Sequence, residues 1–185
     1  MKLTLENIQA CKKAGIPISA ITCYDYPSAL WIEKANIDIV LVGDSVGTNI
    51  LGYASEADVT LDDMAHHLRA VKRGIHKAYL LADLPSGTYA RPEQALASAH
   101  RLVADGADGI KLEGFIPDII QHLTENDIQV FAHLGLMPQL AEKVSLQART
   151  AETALQLLQQ ALELERAGAC GLVLELVPEE ISAEV

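Results

Sequence analysis

Six apolar runs constrain the fold of this chain more than any other feature: ISAITCY (18–24), DIVLVGD (38–44), AYLLADL (78–84), GIKLEG (109–114), QVFAHLG (129–135) and GLVLELV (171–177). They are apolar along much of their length instead of strictly alternating, the signature of strands covered on both faces in a parallel sheet. Between them lie amphipathic stretches with recognisable ends. PSALWIEKAN follows Asp25, TLDDMAHHLRAVKRG opens on a Thr60/Asp63 capping box, and RPEQALASAHRLVADG ends at Gly106. IPDIIQHLTEND and TAETALQLLQQALELERAG follow, and in the latter Leu155, Leu158 and Leu162 share one face and form the apolar stripe. Strand and helix alternate throughout, which implies right-handed βαβ crossovers in an open doubly wound sheet or a (β/α) barrel.

The polar residues separate these architectures in part. Asp44, Asp83, Glu113, His133 and Glu175 each fall at or near the C-terminal end of a different run, with Lys111 two residues before Glu113. Barrel enzymes keep their chemistry on that rim, whereas an open sheet gathers ligands at one switch point. The expected fold is therefore α/β, of the (β/α)8 TIM-barrel type, truncated to about six βα units. No linker or composition break divides the chain, so residues 1–185 are expected to form one incomplete barrel domain. The net charge of −11 argues against a nucleic-acid or anionic-membrane partner. No run reaches bilayer-spanning length and the N-terminus lacks a secretory apolar region, so a cytoplasmic location is expected. Cys11, Cys23 and Cys170 have no C-x-x-C spacing and read as reduced, mostly buried residues.

Gly43-Asp44-Ser45-Val46-Gly47 matches G-x-S-x-G, the nucleophile elbow of serine hydrolases, and Ser45, Asp83 and His133 follow that fold's chain order. An elbow needs a helix directly after the serine, and TNILGYASEAD shows no helical period before Thr60. The carboxylates offer a different chemistry. Asp44, Asp83 and Glu113 on successive strand ends would converge oxygen ligands suited to a hard cation such as Mg²⁺. Lys111 either meets a substrate carboxylate or snorkels to solvent or Glu113. His133 is either a pocket residue or a hydrogen-bonded core histidine. Glu175, inside LVLELVP, is expected to be partly desolvated with its pKa raised, as suits a general base. The neighbours His66 and His67 lack metal-pair spacing and read as surface or interface residues.

The ordered blocks TCYDYPSA, DIVLVGDSVGTNILGY, VTLDDMAHHLRAVKRG, LLADLPSGTY, ADGIKLEG, VFAHLGLMPQ and GLVLELVPEE resemble the ketopantoate hydroxymethyltransferase family over nearly the whole chain. The resemblance implies a barrel enzyme that transfers the one-carbon unit of 5,10-methylenetetrahydrofolate to 3-methyl-2-oxobutanoate, working as a homo-oligomer. Carried over block by block, it makes Asp44 and Asp83 ligands of Mg²⁺, with Glu113 a further ligand through water. Asp44, Ser45, Asp83, Lys111 and His133 would bound the substrate pocket, Ser45 and Lys111 holding its carboxylate, and Glu175 would accept the proton. Against the family pattern, the connection LAEKVSLQART after Gln139 is short and the last two βα units are lacking. Completion of the barrel edges by another chain is expected. A carbon–carbon lyase of the phosphoenolpyruvate mutase/isocitrate lyase type and a non-catalytic barrel remnant are the alternatives.

Overall fold

The computed structural model describes residues 2–139 and 143–185. Its strands are β1 (Ala20–Thr22), β2 (Ile39–Val42), β3 (Tyr79–Asp83), β4 (Gly109–Glu113), β5 (Val130–Gly135) and β6 (Gly171–Glu175). Each falls inside one of the six apolar runs. All pair in parallel, in the order β1-β2-β3-β4-β5-β6. A doubly wound sheet reverses its strand order at a switch point. Here there is no reversal, and the sheet curls as part of a barrel wall.

The helices are α1 (Leu5–Lys13), α2 (Tyr26–Ala35), α3 (Leu61–Lys72), α4 (Pro92–Ala104), α5 (Pro117–Thr124), α6 (Ala151–Arg166) and α7 (Glu179–Glu184). Their starts are chemically marked. Asp25 accepts the Ser28 N–H at 2.7 Å with Pro27 in the first turn, and Thr60 and Asp63 satisfy each other's backbone N–H groups. Helix α3 buries Met64, Ala65, Leu68 and Val71, one stripe at helical spacing. That stripe meets Val40, Val42, Leu80, Ala82, Ile110, Leu112, Val130 and Ala132, the alternate residues that β2 to β5 turn toward the helices. Each fully buried leucine there contributes about 1.5–3 kcal/mol.

The opposite side chains fill the concave face. Ile39, Tyr79, Leu81 and Phe131 form a second cluster, closed at the N-terminal end of the strands by Ile8 of α1. Helix α1 lay outside the sequence expectations, although its Thr4/Asn7 capping box is legible. Leu3 N–H docks it on the Lys77 carbonyl at 2.7 Å, just before β3. Large and small residues alternate across this floor. A Cβ on Gly109 would sit 2.3 Å from Tyr79 Oη, and one on Gly171 would sit 2.5 Å from Phe131 Cδ1. The glycines thus make room for the two rings, whose centroids are 5.8 Å apart.

Two expectations about burial fail, both at the margins of the sheet. Strand β1 is exposed and β6 only half-buried, because each has a hydrogen-bonded neighbour on one side. In α6 the buried residues are Ala154, Leu157 and Leu164, whereas Leu155 and Leu162 of the anticipated stripe are 60% and 52% exposed. The helix packs against β5, α5 and α7, which turns its other leucine row outward. No helix among the described residues is long and apolar enough to cross a membrane.

Tyr79 is 1% exposed and donates to Gln129 Oε1 at 2.7 Å, so it has little freedom to yield to a new methyl group. Gly109→Ala is expected to cost about 1–3 kcal/mol in urea unfolding, the usual range for overpacking. Adding Tyr79→Phe, which removes the nearest clashing atom, should recover part of that loss; full tolerance of the alanine in the native background would refute the close-packed floor.

Candidate active site

Above the floor, the register brings the polar residues together. Asp83 of β3 lies opposite Lys111 of β4, Glu113 opposite His133 of β5, and Gly135 opposite Glu175 of β6. Because side chains alternate along a strand, these residues share the concave face with Leu81 and Phe131, while Leu112, Ala132 and Leu134 face the helices. Among the described residues, the buried charged side chains are Asp44, Asp83, Lys111 and Glu113, with His133 and Gln139 beside them. Every buried charge therefore belongs to one cluster at the C-terminal end of the strands.

Lys111 is its centre. The ammonium donates to Asp83 Oδ2 at 3.0 Å and to Glu113 Oε1 at 3.5 Å. The Asp44 backbone N–H reaches the same Asp83 oxygen at 3.1 Å, leaving Asp83 Oδ1 buried without a partner. His133 stands between two glutamates, Nδ1 3.4 Å from Glu113 Oε1 and Nε2 3.6 Å from Glu175 Oε2. Those separations permit ion pairing, yet neither is aligned as a hydrogen bond.

Three carboxylates face one ammonium, and the consequences follow from charge. Burial works against the charged Lys111, but Asp83, Asp44 and Glu113 outweigh it and hold the amine above its ordinary range. Asp44 is pushed up to about 7, chiefly by burial and then by the negative charge of Asp83. Burial likewise raises Asp83, against the pull of Lys111. Glu113 goes the other way. Burial opposes its charge, but the His133 ring, the Lys111 ammonium and the Gln139 N–H prevail and hold it below the usual range.

Gln139 was not singled out from the sequence, although it ends the block VFAHLGLMPQ. Its Nε2 donates to Asp44 Oδ2 at 2.6 Å and to the Leu84 carbonyl at 3.0 Å, its Oε1 accepts from Tyr89 Oη, and its backbone N–H donates to Glu113 Oε2 at 3.2 Å. Tyr24 was also missed. Its hydroxyl pairs with Ser45 Oγ at 2.7 Å, and its carbonyl lies 2.6 Å from His67 Nδ1, so His67 braces the loop before α2. Neither tyrosine nor glutamine carries a spacing signal. Their roles arise from contacts between segments distant in the chain.

Other expectations need correction. A π-helical turn, Gly47–Leu51, does follow Ser45 closely, where no helix was expected. Even so, Ser45 Oγ is engaged with Tyr24, Asp83 with Lys111, and no hydrogen bond joins Ser45 to His133 among the described residues, so the hydrolase triad is not assembled. Gly47 is needed for close packing, since a Cβ there would lie 2.5 Å from Val59 Cγ2. Gly135 is different: its φ is +95°, and a Cβ would meet the Glu175 carbonyl oxygen at 2.2 Å. Glu175 is not desolvated as expected. Its side chain is 42% exposed, because β6 has a neighbour on only one side. No three His, Cys, Asp or Glu side chains among the described residues are grouped to hold an ion directly. Asp44, Asp83 and Glu113 are thus not gathered as a set of three around one ion position among the described residues. The short connection after Gln139 begins at residues 140–142, outside those described.

A parallel sheet in sequential strand order with an acidic, lysine-centred cluster at its C-terminal rim defines an α/β barrel-type enzyme. Solved structures agree on the fold. Phosphonopyruvate hydrolase complexed with oxalate and Mg²⁺ superposes with a TM-score of 0.75 at 16% identity, covering 98% of this chain and 68% of that one. A 2,3-dimethylmalate lyase of the phosphoenolpyruvate mutase/isocitrate lyase superfamily gives 0.70 at 17% identity, covering 98% and 65%. Sequence narrows the class: the family model for ketopantoate hydroxymethyltransferase matches residues 2–185, and the chain belongs to that family. Relatives named 3-methyl-2-oxobutanoate hydroxymethyltransferase are 45% identical in Chloroflexus aurantiacus, 46% in Gluconacetobacter diazotrophicus and 43% in Thermus thermophilus. Each match covers the whole chain and 68%, 69% and 72% of the relative, respectively.

Removing the central cation leaves buried carboxylates uncompensated. Lys111→Met is expected to lower stability by about 3–5 kcal/mol at pH 8, the usual cost of breaking a buried pair. The unpaired acids would then have folded-state pKa values above their unfolded ones, so the deficit should shrink as pH falls toward 5. Urea melts of both proteins across that range check this, and a pH-independent deficit would count against it.

Proposed function

We propose that the chain catalyses Mg²⁺-dependent transfer of a hydroxymethyl group from 5,10-methylenetetrahydrofolate to 3-methyl-2-oxobutanoate, giving ketopantoate for pantothenate synthesis. The observation that carries the reading is the excess of buried negative charge at the strand ends, with Asp83 Oδ1 left unpartnered. That donor set fits a hard divalent cation held by two carboxylates, Asp44 and Asp83, with water and substrate oxygens completing the shell and Glu113 acting through water. When bound, the cation supplies Lewis-acid polarisation of the 2-oxo group.

The remaining steps belong to side chains. An ammonium has three N–H donors, and Lys111 spends two on Asp83 and Glu113. The third has no partner among the described residues and would take the substrate carboxylate, with Ser45 as a second donor. His133 lines the pocket and braces Glu175, which removes the C3 proton. The resulting enolate attacks the methylene carbon of the folate. Attack breaks one carbon–nitrogen bond and water displaces the second nitrogen to supply the hydroxyl, the two nitrogens taking up the proton removed from C3 and one proton of that water.

The reading includes a barrel of the (β/α)8 type truncated to about six βα units, a single domain over residues 1–185, a cytoplasmic setting, and cover for the β1 and β6 edges from copies of the chain or another chain. Uncovered, these edges would present free backbone groups and apolar side chains to water. The purified protein is accordingly expected to sediment as an oligomer, and a cooperatively unfolding monomer would refute that part.

The chemistry is tested by two measurements. Ketopantoate should form only when the 2-oxo acid, methylenetetrahydrofolate and a divalent cation are all present. Without folate, exchange of the C3 proton of 3-methyl-2-oxobutanoate into D₂O should be catalysed, and Glu175→Gln should slow it about 10²–10⁴-fold with little change in KM. Undiminished exchange in that variant would remove Glu175 from the role of base.

A further inference from the structure

Gln139 is 6% exposed and reaches the ends of three strands, with its backbone N–H on Glu113 of β4 and its side chain on the segments after β2 and β3. Its amide bonds Asp44 after β2 and the Leu84 carbonyl after β3, while Tyr89, on the connection between β3 and α4, donates to its oxygen. The chemistry of these partners fixes the amide's orientation. Two acceptors face the NH₂ group and a hydroxyl faces the carbonyl, so a flipped amide would set its oxygen against a carboxylate and a carbonyl.

Asp44 needs such a constraint. The torsion that turns a carboxylate about its last bond is broad and roughly two-fold, so Asp44's own rotamer does not set the plane of its oxygens. Gln139 Nε2, at 2.6 Å from Oδ2, does. Oδ1 of Asp44 makes no hydrogen bond among the described residues, and Oδ1 of Asp83 is buried without a partner.

We propose that Gln139 is a positioning residue for the divalent cation: held by Tyr89, its amide fixes the plane of the Asp44 carboxylate, so that the second oxygen is held in one orientation for a cation that the unpartnered oxygen of Asp83 also binds. This deepens the functional reading above and rests on its assignment of the two aspartates to the cation. Tyr89 acts only through Gln139, and neither residue touches the cation. Partners of this kind alter metal affinity by about 10–100-fold when removed.

The test is Mn²⁺ titration of the full chain, followed by the EPR signal of the free ion, for the native protein, Gln139→Met, Tyr89→Phe and the double variant. Methionine keeps the length of the side chain without its donors, and phenylalanine removes a single hydroxyl, so the second variant serves if the first folds poorly. Affinity is expected to fall about 10–100-fold in Gln139→Met and by a smaller factor in Tyr89→Phe. Tyr89→Phe should cost nothing more once Gln139 is methionine, because its effect passes through the amide. If the native protein binds Mn²⁺ and both variants bind it equally well, the proposal is overturned while the cation reading stands. Additive losses in the double variant would overturn the relay from Tyr89. Failure of the native protein to bind Mn²⁺ would overturn the cation reading and this proposal with it.

Discussion

The buried ammonium of Lys111 is the interaction on which the site depends. Carboxylates are costly to bury, and a parallel sheet that turns Asp83 and Glu113 inward on neighbouring strands would push them to neutrality or apart. Lys111 sits opposite the first and two residues before the second, so a single strand register supplies the cation to both. The compensation is incomplete, and that matters more than the pairing itself. One ammonium against Asp44, Asp83 and Glu113 leaves the cluster anionic whenever all three are ionised, and Asp44 lies farthest from relief, with a pKa near 7. A site that is already folded, buried and short of positive charge is predisposed to take a cation.

The floor beneath sets how high that cluster stands. Tyr79, Leu81 and Phe131 fill the concave face from below, fitted around Gly109 and Gly171, and Ile8 closes the end. Water is thereby excluded from the lower side of Lys111 and Asp83, which strengthens every charge interaction above it. Gly135 performs a related service at the rim. Its positive φ lets β5 pass against the Glu175 carbonyl, which places β6 and its terminal glutamate beside His133.

Much of this was legible in the chain because parallel strands announce themselves twice. Their apolar runs mark the elements, and a polar residue interrupting each run near its C-terminal end marks the rim, as Asp83, Glu113, His133 and Glu175 do. What was not legible depended on which neighbour an element finds. Leucines at 155, 158 and 162 look as buried as those at 157 and 164 until the docking of α6 on β5 chooses between two rows. Glu175 reads as desolvated among Leu and Val, but burial needs a strand on each side. Tyr24, Tyr89 and Gln139 carry no spacing at all. A tyrosine or glutamine becomes functional through contacts tens of residues away, and no local pattern encodes those.

The same logic bears on why the glutamate expected to act as base is the most exposed member of the cluster. Asp83, Lys111, Glu113 and His133 are all nearly inaccessible, and each is held by strands on both sides. Such groups are suited to fixed electrostatic duty, since moving them would break several buried interactions at once. Glu175, on a strand with one neighbour, has among the described residues the ring of His133 as its charged or polar side-chain neighbour. A group that must take a proton from a carbon and later surrender it gains from access to solvent, provided something fixes its approach. The row from Lys111 through Glu113 and His133 to Glu175 supplies that fixation from the buried side. Burial and restraint within the cluster thus differ between the centre of the sheet and its edge.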